Sequence, residues 1–179
     1  MARAKSSHSI LPAAVSALAR RVVRENAAAG RKVATAESCT GGLVSAAITE
    51  IPGSSAIFEY GFVTYANEAK TEILGVNRDI IDAFGAVSVA TAWAMALGAL
   101  AKSGADVAVA VSGVAGPDGG SDDKPVGTVV FALAKKGQDP EDVFAEVKQL
   151  GNHLSRAEIR LSAAQYALEL LLPTHTPSP

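Results

Sequence analysis

Lys32-Val33-Ala34-Thr35-Ala36-Glu37-Ser38-Cys39-Thr40-Gly41-Gly42, running on to Leu43-Val44-Ser45-Ala46-Ala47-Ile48-Thr49, decides the fold class. Lys32 to Glu37 predicts a short strand, the glycine pair a turn, and the residues up to about Thr49 a helix. A strand that turns directly into a helix belongs to a layered α/β domain. Outward from this unit the alternation continues. On the N-terminal side, Leu11, Val15, Leu18, Val22 and Val23 recur at helical spacing, so an amphipathic helix is expected from Ser9 to Ala29, closed by Gly30. On the C-terminal side, Pro52-Gly53-Ser54-Ser55 is a turn, and Phe58 to Tyr65 is a strand by its aromatic and β-branched content. Asn67 is a suitable N-cap for a short helix through Leu74. Val87 to Ser103 predicts an alanine-rich helix, and Asp106 to Val111 a buried strand. Val126 to Ala134 and Asp142 to Leu150 predict two more strands, with no room for a helix between them. They should pair antiparallel, which makes the sheet mixed. Ser155 caps a last helix through Leu172.

The 179 residues suit one domain, taken as 9–172 between disordered tails at 1–8 and 173–179. Apolar residues make up 49% of the chain and mean hydropathy is +0.23, which excludes a disordered polymer. Sixteen basic against 18 acidic residues give a net charge of −2, so the basic footprint of a nucleic-acid binder is absent. Cys39 is the sole cysteine, which excludes a disulfide framework and a multi-cysteine zinc site. Gly85 to Leu100, the most apolar stretch, falls short of the ~20 residues a membrane span needs. Residues 1–24 carry five basic side chains and no acid, a pattern shared with transit peptides. The helical spacing there favours a first helix behind a short tail, and a cytoplasmic protein is expected.

Three segments could carry chemistry. In Ala36 to Gly42, a serine at a strand-to-helix turn is exposed beside backbone N–H groups that can hold an oxyanion. Ser38 is therefore a candidate nucleophile, although Ser38 and Thr40 could equally cap the helix, and the G-x-S-x-G elbow is not matched. Cys39 is the rival nucleophile, or else a small buried hydrophobe. A serine needs a base. His8 and His175 sit in the tails, which argues against a Ser-His-Asp triad. Lys70, in Thr64-Tyr65-Ala66-Asn67-Glu68-Ala69-Lys70, is the alternative, and must be neutral to work, far below its ordinary value of ~10.4. Burial could achieve this; the plain reading is a helix lysine paired with Glu68 or Glu72. The third segment, Ser112-Gly113-Val114-Ala115-Gly116-Pro117-Asp118-Gly119-Gly120, is a glycine-rich loop after a buried strand. It could hold a phosphate or ribose, or merely turn the chain.

Taken together, A-E-S-C-T-G-G at 36–42, G-F-V-T-Y-A-N-E-A-K at 61–70, and S-G-V-A-G-P-D-G-G at 112–120 with K-P-V-G-T-V at 124–129 closely resemble one family. It is the CinA C-terminal-domain family, the nicotinamide-nucleotide amidohydrolases, and the resemblance covers about Leu11 to Leu172. It implies a three-layer α/β/α sandwich around a mixed, mostly parallel sheet. It implies hydrolysis of nicotinamide mononucleotide to nicotinate mononucleotide and ammonia, in pyridine-nucleotide recycling, by the stand-alone form of the domain. By motif position the nucleophile would be Ser38 and the base Lys70, with Tyr65 as an auxiliary. Thr40, Gly41, Gly42, Ser112, Gly113, Ala115, Gly116 and Arg156 would meet the substrate. Where many members read Gly-Asp-Arg before the final helix, this chain reads Gly151-Asn152-His153-Leu154-Ser155-Arg156, with Arg156 on the motif arginine and Arg160 on the next. No metal or cofactor is expected, nor a nucleic-acid or membrane partner; a homodimer is. The alternative is a non-catalytic nucleotide-binding or protein-interaction module of the same fold.

Overall fold

The computed structural model describes residues 9–174, so most of both expected tails, with His8 and His175, lies outside the described residues. In chain order the elements are α1 (Ala13–Ala28), β1 (Val33–Glu37), α2 (Leu43–Thr49), β2 (Phe58–Val63), α3 (Asn67–Leu74), α4 (Arg78–Phe84), α5 (Val89–Ser103), β3 (Val107–Gly113), β4 (Thr128–Lys135), β5 (Phe144–Gln149) and α6 (Arg156–Leu170). The strands form one sheet in the order β2-β1-β3-β4-β5. Pairings of β1 with β2 and β3 are parallel, and those of β4 with β3 and β5 are antiparallel. The sheet is thus mixed as expected, with β4 alone running against the other four.

Both faces of the sheet are covered, by different means. Val33, Val107, Val109, Val111, Phe131 and Leu133 face α1, α2 and α6, where they meet Val22, Ile48, Ile159 and Leu168. Ala34, Ala36, Ala108, Ala110, Ala132 and Ala134 face α5, which answers with Ala92, Met95, Ala96 and Ala99. The alternation Val-Ala-Val-Ala-Val in β3 writes this division directly: large residues fill one layer, and small ones draw α5 close to the other.

Several boundaries differ from expectation for local reasons. The first helix starts at Ala13, because Pro12 is its N-cap and disfavours helical geometry at Leu11. The central helix starts at Val89, where Ser88 Oγ accepts the Thr91 N–H at 3.1 Å. Asn67 does not cap α3. Ala66 holds the cap position without a side-chain bond, and Asn67 is the first helical residue. The sequence pattern assigns no element to residues 75–86. They hold α4, whose cap Asn77 accepts the Asp79 N–H at 2.9 Å. Ser155 does cap α6, through a reciprocal box with Glu158.

One close approach fixes α3. A Cβ on Gly98 of α5 would lie 2.0 Å from the Leu74 carbonyl oxygen, so only glycine lets the two helices meet there.

Candidate active site

At the C-terminal ends of β1, β2 and β3 the three expected segments converge. Ser38 is the first residue past β1, held in the ladder by its N–H to the Val111 carbonyl at 2.9 Å, and is 8% exposed. Lys70 reaches it from α3: Nζ lies 3.2 Å from Ser38 Oγ, 3.0 Å from the Thr64 carbonyl and 3.0 Å from the Tyr65 carbonyl. Lys70 is fully buried. It is not the solvated, ion-paired lysine that its spacing allowed; Glu68 pairs with Arg78 instead. Burial pushes the Lys70 amine below its ordinary value, against the opposing pull of Cys39 and Glu68. As the fourth residue of α3, it owes this chiefly to burial and little to the helix dipole.

Cys39 is buried too, and burial drives its thiol up to about 12. An uncharged thiol is a poor nucleophile, which weighs against Cys39 in that role.

The turn that presents Ser38 is gripped from both sides. Glu37, fully buried, accepts N–H bonds from Gly42 at 2.9 Å, Val44 at 3.1 Å and Ser45 at 2.8 Å, and the Ser45 hydroxyl at 2.6 Å. Gly42, at φ +94°, is the N-cap of α2 and has no side chain to cap with, so the Glu37 carboxylate takes that role. On the other side, Arg160 Nε donates to the Cys39 carbonyl at 3.1 Å and Nη2 to the Thr40 carbonyl at 2.8 Å. The sequence pattern alone gives Glu37 no role. The four donors from Gly42, Val44 and Ser45 lie five to eight residues further on, and only the folded turn brings them round.

A cavity of about 260 Å³ opens beside this turn, lined by Cys39, Tyr65, Val87, residues 113–116, Asp118, Gly119 and Arg156. A neighbouring one of about 400 Å³ shares Ala115 and Arg156 with it. Arg156 closes the gap between loop and tyrosine, donating to the Gly116 carbonyl at 2.6 Å and to Tyr65 Oη at 3.2 Å. Tyr65 remains 59% exposed. Of the expected contact residues, Gly113, Ala115, Gly116 and Arg156 line the cavity. Thr40, Gly41, Gly42 and Ser112 do not line it. Gly41 N–H donates to the Ser38 carbonyl, Gly42 N–H to Glu37, and Ser112 Oγ to the Ala86 carbonyl at 2.7 Å. The Thr40 hydroxyl is buried without a partner among the described residues. No cluster of ligands for a metal ion occurs among the described residues, and no helix there is long and apolar enough to cross a membrane.

Residues 15–175 match the CinA C-terminal domain family. The chain is 52% identical over 145 residues to the nicotinamide-nucleotide amidohydrolase PncC of Enterobacter agglomerans, covering 81% of this chain and 85% of that protein. It is 46% identical over 170 residues to a CinA-like protein of Akkermansia muciniphila, covering 95% of this chain. Against some relatives it spans only part of their length, 34% of one and 40% of another. The crystal structure of the competence/damage inducible protein CihA from Agrobacterium tumefaciens superposes with a TM-score of 0.86 at 48% identity, over 91% of this chain and 96% of that one.

Proposed function

The chain belongs to the CinA C-terminal domain family, and from that premise we propose that it is an amidohydrolase. Its reaction is the conversion of nicotinamide mononucleotide to nicotinate mononucleotide and ammonia. The name of its Enterobacter agglomerans relative supports the substrate. The observation that carries the reading is the buried Lys70 amine 3.2 Å from the Ser38 hydroxyl.

An amide resists hydrolysis because its carbonyl is weakly electrophilic and its nitrogen leaves only when protonated. Lys70, kept neutral by burial, takes the Ser38 proton as Oγ attacks the carboxamide carbon, then delivers it to the departing nitrogen. Ammonia leaves an acyl-serine, which water opens with Lys70 again as base. Glu37 and Arg160 hold the turn while charge develops on the carbonyl oxygen. Arg156, with the 112–120 loop, grips the phosphate of the mononucleotide. Tyr65 supports Arg156 and lends Lys70 its carbonyl. The pyridinium charge of the substrate further disfavours an ammonium at Lys70. The reading includes a cytoplasmic homodimer whose working domain is 9–172, acting in pyridine-nucleotide recycling without metal, cofactor, nucleic acid or membrane.

Ammonia release from nicotinamide mononucleotide is the test. Ser38→Ala should abolish it in a folded protein, while Cys39→Ala stays active. Activity in folded Ser38→Ala would refute the serine mechanism, and a parent chain that releases no ammonia would leave the non-catalytic module.

A further inference from the structure

Three parallel strands end side by side beneath the cavity, and each carries a hydroxyl residue at the same level. The register Val63–Glu37–Val111 continues one step beyond β1, since Thr64 N–H donates to the Glu37 carbonyl at 2.9 Å and Ser38 N–H to that of Val111 at 2.9 Å. Thr64, Ser38 and Ser112 therefore form a row. Strand alternation sends Thr64 to the same face as Phe62, two residues earlier, which packs with α5. Two members of the row have partners: Ser38 meets Lys70, and Ser112 donates to Ala86. Thr64 Oγ1 is fully buried and, among the described residues, has no hydrogen-bond partner. A fold seldom keeps a buried hydroxyl that bonds to nothing, because that group has lost water and gained no replacement. Thr40 and Thr71 share the condition. Thr64 alone also lies beside Ser38 in the ladder and lends its carbonyl to Lys70.

We propose that the Thr64 hydroxyl holds the leaving ammonia and then the water that replaces it. This rests on the serine–lysine reading above. Two of the three directions around Lys70 Nζ are taken by the Thr64 and Tyr65 carbonyls, and the third is aimed at Ser38 Oγ. The departing nitrogen thus needs a second partner. In acylation the Oγ–carbon bond forms, the Oγ proton passes through Lys70 to the nitrogen, the carbon–nitrogen bond breaks and ammonia departs. In deacylation the water oxygen bonds to the same carbon, the water proton passes through Lys70 to Oγ, and the carbon–Oγ bond breaks to release the carboxylic acid. Water attacks from the side that ammonia left, because the second step mirrors the first. Thr64 Oγ1 accepts an N–H of the one and an O–H of the other, orienting each toward the carbon.

The test compares Thr64→Val and Thr64→Ser in the whole chain, with nicotinamide mononucleotide as substrate and Ser38→Ala alongside. Valine keeps the shape and removes the hydroxyl. It should lower kcat at least tenfold with KM within twofold, and leave Tm equal or higher, since no bond of the fold is lost. Serine should keep kcat within about threefold of the parent. Full kcat in Thr64→Val, equal losses in both variants, or a lowered Tm in Thr64→Val would overturn the proposal. If Ser38→Ala still released ammonia, the serine reading itself would fail; if it were silent while Thr64→Val ran at full rate, only the role of Thr64 would fall.

Discussion

An ammonium offers three N–H donors, whereas a neutral amine offers two and a lone pair. Lys70 meets two carbonyls, which can only accept, and one hydroxyl, which can also donate. On the proposed mechanism a neutral amine would keep two N–H bonds to the carbonyls and turn its lone pair toward the Ser38 proton. Activity should accordingly rise with pH through an apparent pKa below that of a free lysine, as the amine loses its proton. Lys70→Arg should cost at least a hundredfold in kcat, about as much as Lys70→Ala, because a guanidinium keeps its proton at any working pH. A steady-state pH profile of the three proteins checks this; near-normal kcat in Lys70→Arg would make the side chain a fixed cation instead of a base. Ser38 and Lys70 were readable as candidates, and the motifs of the family resemblance paired them; the structure brings the two side chains together. Glu37 and Thr64 were not readable in this way. What sets them apart is a partner supplied by the folded turn, or the want of one, and neither is written in spacing.

Elements position these residues, and α3 is the most exacting case. Its seat depends on Gly98, whose hydrogen faces the Leu74 carbonyl. Alanine is the better helix former by about 1 kcal/mol, so propensity alone forecasts that Gly98→Ala stabilises α5. The contact forecasts the reverse. A methyl group 2.0 Å from a backbone oxygen must push α3 away, at a cost of ~1–3 kcal/mol, and carry Lys70 with it. Thermal melts should show a lowered Tm, and ammonia release should fall at least tenfold; a stabilised, fully active variant would show that α3 is not held there. The strand-turn-helix unit and the antiparallel β4–β5 pair were readable because glycine turns and a missing crossover are local facts. The cap of α3 was misplaced by one residue because Asn67 suits a cap by type, while the turn after Val63 supplies Ala66 instead. Helix α4 escaped notice because seven residues give too short a period to recognise.

For the molecule as a whole, the valine and alanine faces of the sheet account for the three layers, and that division was visible in the alternation of β3. The direction of each chemical group was not, since it depends on which layer each side of the turn meets. One pair of groups set by those layers bears on how the entire protein answers alkali. Lys70 is buried with its pKa lowered, so the unfolded chain binds more protons than the folded one between that value and 10.5. Stability from this source rises with pH, by at most about 1.4 kcal/mol per unit, until 10.5 is passed. Cys39 acts in the opposite sense. Its thiol, raised from 9.0 to about 12, stays protonated in the fold while the unfolded chain releases its proton, so stability falls above pH 9.0. Between 9.0 and 10.5 the two slopes offset each other. Chemical denaturation across pH 7.5 to 11 should therefore show the parent gaining on Lys70→Met as pH rises to 10.5, and losing to Cys39→Ala above 9.0. Flat difference curves would disprove the compensation. If it holds, the neighbouring thiol acts as a ballast, levelling an alkaline response that the buried amine alone would tilt.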